Sequence, residues 1–152
     1  GRIIFDERKE ENPCSLCAKM RKGALNNAAE ELGCNKIALG HNKNDVIETF
    51  LMSLIFEGRI SCFSPVSFLE KKKLYSIRPL IYVSEYETKS YADSLGSIIV
   101  KNPCPADGST KRQEIKELLK TLNKTYPNLN QRIFGAVTRS LDDWKRGGVN
   151  GR

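Results

Sequence analysis

Apolar residues in the first third of the chain recur at two different periods, and the alternation between them predicts the fold class. Across residues 15–32 the positions Leu16, Met20, Ala24, Leu25, Ala28, Ala29 and Leu32 repeat at helical spacing, and Gly33 supplies a stop. Lys36-Ile37-Ala38-Leu39-Gly40 then reads as a short buried strand, which runs into the polar loop His41-Asn42-Lys43-Asn44-Asp45. Asn44 or Asp45 is expected to cap the next helix, with Glu48 behind Asp45 completing a capping box. Val46, Ile47, Phe50, Leu51, Leu54 and Ile55 form the apolar stripe of that helix, and Gly58 ends it. Helix, strand, polar loop, helix is the order of a parallel sheet wound by crossovers.

Ahead of this unit, Ile3-Ile4-Phe5 resembles a strand fragment with no preceding turn, which leads to the expectation that sequence is missing upstream. Behind it, residues 60–69 are apolar but interrupted by Pro65, and Lys71-Lys72-Lys73 reads as a solvated turn. Residues 74–83 are strand-like, with Pro79 marking an edge or an end. Ser84 with Glu87 makes a second capping box for a short helix that stops at Gly96, and Ser97-Ile98-Ile99-Val100 is a further short strand. After the turn-rich run 102–108, Thr110 with Gln113 caps a helix carrying Ile115, Leu118, Leu119 and Leu122. Residues 128–141 form another, with Ile133, Phe134 and Val137 inward. From Trp144 the chain is Gly-rich and basic and is expected to fray. Residues 1–141 are therefore read as one domain and 142–152 as a flexible basic tail.

Composition narrows this picture. At 152 residues the chain suits one domain with its own core. No apolar run approaches eighteen residues and no signal-like leader is present, so a cytoplasmic protein is expected. The five cysteines, at 14, 17, 34, 62 and 104, are odd in number and give no disulfide framework, which favours reduced thiols. The net charge of +7 is unevenly placed: residues 1–60 hold nine basic and nine acidic side chains, so the whole excess lies in residues 61–152. That asymmetry suits a polyanionic partner, and equally a solvated basic face.

Three stretches carry candidate chemistry. In Pro13-Cys14-Ser15-Leu16-Cys17 two thiols three positions apart open a helix, where unpaired N–H groups and the positive end of the dipole favour thiolates. Zinc, an iron–sulfur cluster and a redox dithiol all remain open on these residues. Cys104 lies between Pro103 and Pro105 and would make a third thiolate, a set that suits a [4Fe–4S] cluster with one open iron; zinc would need a fourth ligand from Asp107, His41, Cys34 or Cys62. Cys34 is otherwise expected to be a small buried residue. His41, the only histidine, and Asp45 sit where a wound sheet binds ligands, beyond a strand's carboxyl end, and the loop bearing Cys104 is expected to open on the same edge. Lys111, Arg112, Lys116, Lys120, Lys124, Arg132 and Arg139 line the last two helices, either to track phosphates or to solvate them.

These motifs occur in a telling order. Cys14-Ser15-Leu16-Cys17 with Arg21-Lys22-Gly23, Ile37-Ala38-Leu39-Gly40-His41 with Asp45 and Glu48-Thr49, Ile77-Arg78-Pro79-Leu80, and Pro103-Cys104-Pro105-Ala106-Asp107-Gly108 with Lys111-Arg112-Gln113 resemble the tRNA 2-thiocytidine biosynthesis family of PP-loop ATPases. The resemblance implies a Rossmann-like adenine nucleotide alpha hydrolase fold, a partial parallel sheet flanked by helices. It implies an enzyme that adenylates a tRNA base, cytidine by preference, with ATP and magnesium, after which a sulfur species displaces AMP. It places the iron–sulfur ligands on Cys14, Cys17 and Cys104, with zinc as the alternative metal, and the nucleotide-side motif on Gly40, His41 and Asp45. Implied partners are tRNA and a sulfur donor; an upstream half carrying the PP-loop, or a homodimer formed through the sheet edge that missing first strands would expose, is a further expectation. Two departures stand out. The family's Ser-Gly-Gly-Lys-Asp-Ser run, whose amides cradle ATP phosphates, does not occur in these residues, so the chain is expected to be the C-terminal part of such an enzyme and to bind ATP poorly alone. Asp107 also stands where another cysteine is expected. The competing expectations are a non-catalytic zinc- or RNA-binding remnant, and a sulfurtransferase working through a Cys14/Cys17 persulfide.

Overall fold

The computed structural model describes residues 13–96, 104 and 110–145. Nine elements follow in order: α1 (Pro13–Glu31), β1 (Lys36–Ala38), α2 (Lys43–Glu57), β2 (Val66–Leu69), β3 (Leu74–Ile77), α3 (Glu85–Ser94), α4 (Lys111–Thr125), α5 (Leu129–Ser140) and α6 (Asp142–Lys145). β3 is central in the order β1-β3-β2. It pairs parallel with β1, Ile37 opposite Ser76, and antiparallel with β2, Ser67 opposite Ser76. The sheet is thus mixed: the crossover between β1 and β3 carries α2, as expected, but the Lys71-Lys72-Lys73 turn, with Lys73 at φ 53°, folds β2 back as a hairpin. β3 ends at Ile77, before Pro79, which has no N–H for a ladder.

Two cores result. The larger gathers Val46 and Ile47 of α2, Ile81, Ile115 and Leu119 of α4, Phe134 and Val137 of α5, and Trp144. The smaller joins Ala29 of α1 to Ile37 and Leu74, with Leu39 and Leu69 at its margin. α1 follows its predicted bounds, yet most of its apolar stripe stays uncovered, with Met20 and Leu25 each 44% exposed and Leu32 79%. The reason is length: nineteen helical residues span about 28 Å, whereas strands of three and four residues reach roughly 10–13 Å.

Several sequence expectations change here. Asn42, not Asn44 or Asp45, caps α2. Its side chain accepts from the N–H groups of Asn44 and Asp45, while the Asp45 carboxylate accepts from the Asn42 N–H. Glu48 therefore has no capping role. Cys34 is exposed, because it follows the left-handed Gly33 into the surface turn before β1. Trp144 does not fray: it is 6% exposed, packs edge-to-face on Phe134 and Tyr82, and donates its indole N–H to the Phe63 carbonyl at 3.2 Å. The Ser84/Glu87 box, the Thr110 cap and the Gly58 stop form as expected. The strand expected at 97–100 lies outside the described residues, as do Asp107 and residues 146–152.

Candidate functional site

The β1–α2 loop is held from three directions. The Asn42/Asp45 box fixes its inner turn, the Lys43 N–H donates to the Val83 carbonyl at 2.8 Å, and the Asn44 side chain accepts from the Glu85 N–H at 3.0 Å. The loop that follows β1 is thereby tied to the segment that follows β3, so both parallel strands present their carboxyl ends together. Gly40 is exposed, and a Cβ there would meet nothing within 4 Å, so packing does not demand glycine at this position.

His41 and Arg78 stand beyond these two strand ends, and both contact the Phe63 ring. The His41 ring lies 4.8 Å from Phe63 and the Arg78 guanidinium 4.9 Å over it. Arg78 donates to the Ser64 carbonyl at 2.6 Å and to the Ser67 hydroxyl at 3.2 Å. The Nδ1 of His41 and the Nε of Arg78 are nonetheless buried with no hydrogen-bond partner among the described residues. Burial pushes the His41 pKa below its ordinary value; Asp45 opposes that shift, and the Arg78 and Arg112 charges add to it, so the imidazole is neutral near pH 7.

Both residues border a cavity of about 490 Å³ between α1 and the sheet. Its sheet wall is set by strand alternation, Ile37 from β1 with Leu39 just past its end, Ser67 and Leu69 from β2, Ser76 from β3. Ala18, Arg21, Lys22, Leu25 and Asn26 face it from α1. Early α1 residues share this space with His41 and Arg78, so the first turn of α1, bearing Cys14 and Cys17, lies toward the carboxyl ends of β1 and β3.

A second cluster joins α4 to α2. Glu48, 3% exposed, receives Arg112 Nη1 at 2.8 Å and Lys116 at 3.7 Å. Arg112 also reaches Asp45 at 3.4 Å and the Thr49 hydroxyl at 3.2 Å. Lys116 bridges on to Glu85 at 3.0 Å. Burial raises the Glu48 pKa, and the Arg112 hydrogen bond with the Lys116 charge opposes the shift without cancelling it. Burial works against the Lys116 charge, but Glu85 and Glu48 outweigh it and the pKa rises. Arg112, at the start of α4, meets Asp45 of the β1–α2 loop; the loop 102–108, expected to open on the same edge, lies outside the described residues apart from Cys104. Sequence reasoning gave Glu48 a cap instead. The signal was available: a carboxylate beside Ile47 and Leu51 on an apolar stripe calls for a buried cation.

Among the thiols, Cys14 is exposed and Cys17 and Cys104 are half-buried. Cys62 is a packing residue: its Sγ donates to the Val46 carbonyl at 3.5 Å, and burial pushes its pKa up to about 11. Among the described residues no three His, Cys, Asp or Glu side chains converge as a metal site requires. Cys14 and Cys17, three apart at a helix start, have the spacing and dipole environment that suit two ligands of a cluster; Cys104 is not gathered to them here. Of the predicted basic helical face, Arg112 and Lys116 turn inward to Glu48 and Lys111 covers Phe56 at 4.8 Å, while Lys120, Lys124, Arg132 and Arg139 stay exposed.

Fold and site together define a wound α/β domain whose polar loops gather beyond its parallel strands. The chain belongs to the PP-loop domain family, whose pattern it matches over residues 5–122. It is 37% identical over 139 residues to the tRNA-cytidine(32) 2-sulfurtransferase of Pelobacter propionicus, covering 90% of this chain and 52% of that protein. It is 42% identical over 129 residues to the enzyme of the same name from Dichelobacter nodosus, covering 84% and 48%. The solved structure of the U34-tRNA thiolase NcsA from Methanococcus maripaludis with its [4Fe-4S] cluster superposes with a TM-score of 0.69 at 30% identity, covering 88% of this chain and 45% of that one. The chain thus spans about half the length of the curated relatives it matches. No helix among the described residues is long and apolar enough to cross a membrane.

Proposed function

We propose that the chain is the cluster-bearing, RNA-facing part of a cytoplasmic enzyme that thiolates a tRNA base, with cytidine as the base. The base carbonyl oxygen attacks the α-phosphorus of ATP and pyrophosphate leaves. A sulfur nucleophile from a donor then takes the carbon and AMP departs with the oxygen. The observation that carries this reading is positional: Ala18, Arg21 and Lys22, in the turns of α1 that follow Cys14 and Cys17, border one cavity with His41, and Arg112 at the start of α4 meets Asp45 of the same loop. The matched relatives, named for tRNA cytidine sulfur transfer, and the cluster in the structural neighbour support it.

In this reading Cys14, Cys17 and Cys104 hold the [4Fe–4S] cluster, which supplies a site for the incoming sulfur when bound. Gly40 leaves room for a phosphate against the backbone, neutral His41 contributes a hydrogen bond without a charge, and Asp45 is the carboxylate for magnesium. The oxygen of Asp45 that faces Arg112 has a 3.4 Å contact and is the less tightly engaged of the two. In this reading the phosphate-cradling run, which does not occur in these 152 residues, is supplied by a polypeptide segment other than these residues. Exposed Lys120, Lys124, Arg132 and Arg139 meet RNA phosphates.

Anaerobic preparation followed by iron and acid-labile sulfide analysis tests the ligand assignment. Close to four irons per chain are expected, falling at least fivefold in Cys14→Ser and in Cys104→Ser and unchanged in Cys34→Ser. One tightly held zinc without iron would favour a non-catalytic remnant. Transferable sulfane sulfur without iron would favour a persulfide on Cys14 or Cys17.

A further inference from the structure

The three-stranded sheet has one covered face and one open face. Ile37, Leu74 and Ser76 are buried on the side of α1. The residues that alternate with them point the other way: Lys36, Ala38 and Tyr75 are exposed, and Val66, Phe68 and Ile77 are half-buried. We propose that this open face is a second contact surface for single-stranded RNA, with unpaired bases stacking on Tyr75 and Phe68 and phosphates meeting Lys36, Lys71 and Lys73. The proposal shares the RNA-facing reading above and adds a surface on the opposite side of the sheet from the cysteine-bearing helix.

Strand register builds the surface. Lys36 pairs with Tyr75, and Tyr75 with Phe68, so a row of three side chains crosses all three strands on the same face. The two rings touch, with centroids 4.8 Å apart and planes inclined at 32–44° bounds excluded in favour of the single value of 44°. Tyr75 nonetheless stays 37% exposed, so the pair presents aromatic surface to solvent instead of closing a core. Ala38, Ile77 and Val66 make the next row, toward the carboxyl ends of β1 and β3.

Cations frame the rings. The Lys36 ammonium reaches the Asn35 side-chain oxygen at 3.4 Å. At the tip of the β2–β3 hairpin, Lys72 turns to Glu30 of α1, whereas exposed Lys71 and Lys73, like Lys36, have no ion pair among the described residues. Glu70, also exposed, is the carboxylate of the same turn, so three lysines stand against one acid. Cations alone would suit any polyanion, and an apolar sheet face alone any apolar partner. A strand of unpaired nucleotides offers both flat bases and closely spaced phosphates, and exposed sheet aromatics in a basic surround are a common way to hold one. Tyr75 precedes Arg78 by three residues, roughly 10 Å along the strand, so one RNA reaches from the carboxyl edge of the sheet to the aromatic row.

Fluorescence anisotropy of the complete chain with an unstructured RNA decamer, and with an abasic decamer of the same length, tests the surface. Tyr75→Ser should weaken the base-bearing decamer by at least about fivefold and leave the abasic one unchanged, whereas Tyr75→Trp, which keeps a stacking ring, should retain the affinity. Lys36→Gln combined with Lys73→Gln should weaken both decamers and lower the slope of log affinity against log salt by about one to one and a half. Circular dichroism melts alongside show that these exposed-site variants stay folded. Equal losses on the two decamers in Tyr75→Ser, or an unchanged affinity for the base-bearing one, would overturn the proposal. So would lost self-association in Tyr75→Ser at unchanged RNA affinity, which would assign the face to a second copy. If RNA affinity falls only in Lys120→Gln and Arg132→Gln, the RNA-facing reading stands and this surface is wrong. If neither decamer binds, both fail.

Discussion

Arg112→Leu is expected to lower the free energy of unfolding by about 2–3 kcal/mol at pH 7 and by clearly less at pH 5. Glu48 is 3% exposed and its carboxylate is held chiefly by Arg112 at 2.8 Å. Removing one partner of a buried ion pair commonly costs about 3–5 kcal/mol, because the remaining charge is left without compensation. The lower figure applies because Lys116 still approaches at 3.7 Å and because the Arg112 side chain is 39% exposed, so solvent already screens part of the interaction. The pH dependence follows from the direction of the Glu48 shift. Burial raises its folded pKa, so its share of stability is complete below the unfolded carboxylate value and is lost as pH rises through the folded one. Without Arg112 the folded value climbs further, and the loss extends toward neutrality. Urea denaturation at the two pH values measures this, and Glu48→Gln in the Arg112→Leu background should flatten the difference. An equal cost at both pH values would mean that Glu48 is not the group responsible.

Trp144→Ala should cost about 3–5 kcal/mol, the range for truncating a buried aromatic in a packed core. The ring closes the larger core against Phe134 and Tyr82, and its N–H satisfies the carbonyl of Phe63, whose ring contacts His41 and Arg78. For a domain of this size that cost corresponds to a melting temperature lower by roughly 10 °C. Trp144→Phe keeps most of the packing and loses only the hydrogen bond, so about 1 kcal/mol is expected. Thermal unfolding followed by circular dichroism gives both values; a change under about 2 °C for the alanine variant would return Trp144 to a frayed tail.

What could be read from the sequence was local. The Ser84/Glu87 box, the Thr110 cap and the left-handed Gly58 stop depend on side chains within four residues of each other, and the structure reproduces them. The sequence reading took Asn44 or Asp45 as the cap and passed over Asn42, although all three residue types are good caps in one stretch. The winner is set by where the loop is tied to Val83 and Glu85, which are some forty residues away. The hairpin of β2 on β3 was hidden by Pro65 and by an apolar run that fits either strand direction. Trp144 looked like part of a basic tail because its neighbours in sequence are polar, whereas its neighbours in space are Phe63, Tyr82 and Phe134.

The site was legible to a similar depth. Cys14, Cys17, His41 and Asp45 stand out by residue type and spacing, and α1 and β1 carry them to one edge. Arg78 was visible only as a member of a motif, and Arg112 as a member of a motif and of a basic helical face. Their partners, the Phe63 ring and the Glu48 carboxylate, are fourteen or more residues distant, and no periodicity links them.

The most direct measurement is the thionucleoside content of tRNA, by chromatography and mass spectrometry, from the source organism with and without the locus encoding this chain. Loss of one thiolated nucleoside, 2-thiocytidine by preference, restored by the intact locus but not by one encoding Cys14→Ser, is the expected result. An unchanged thionucleoside profile in the deletion would contradict a role in tRNA thiolation.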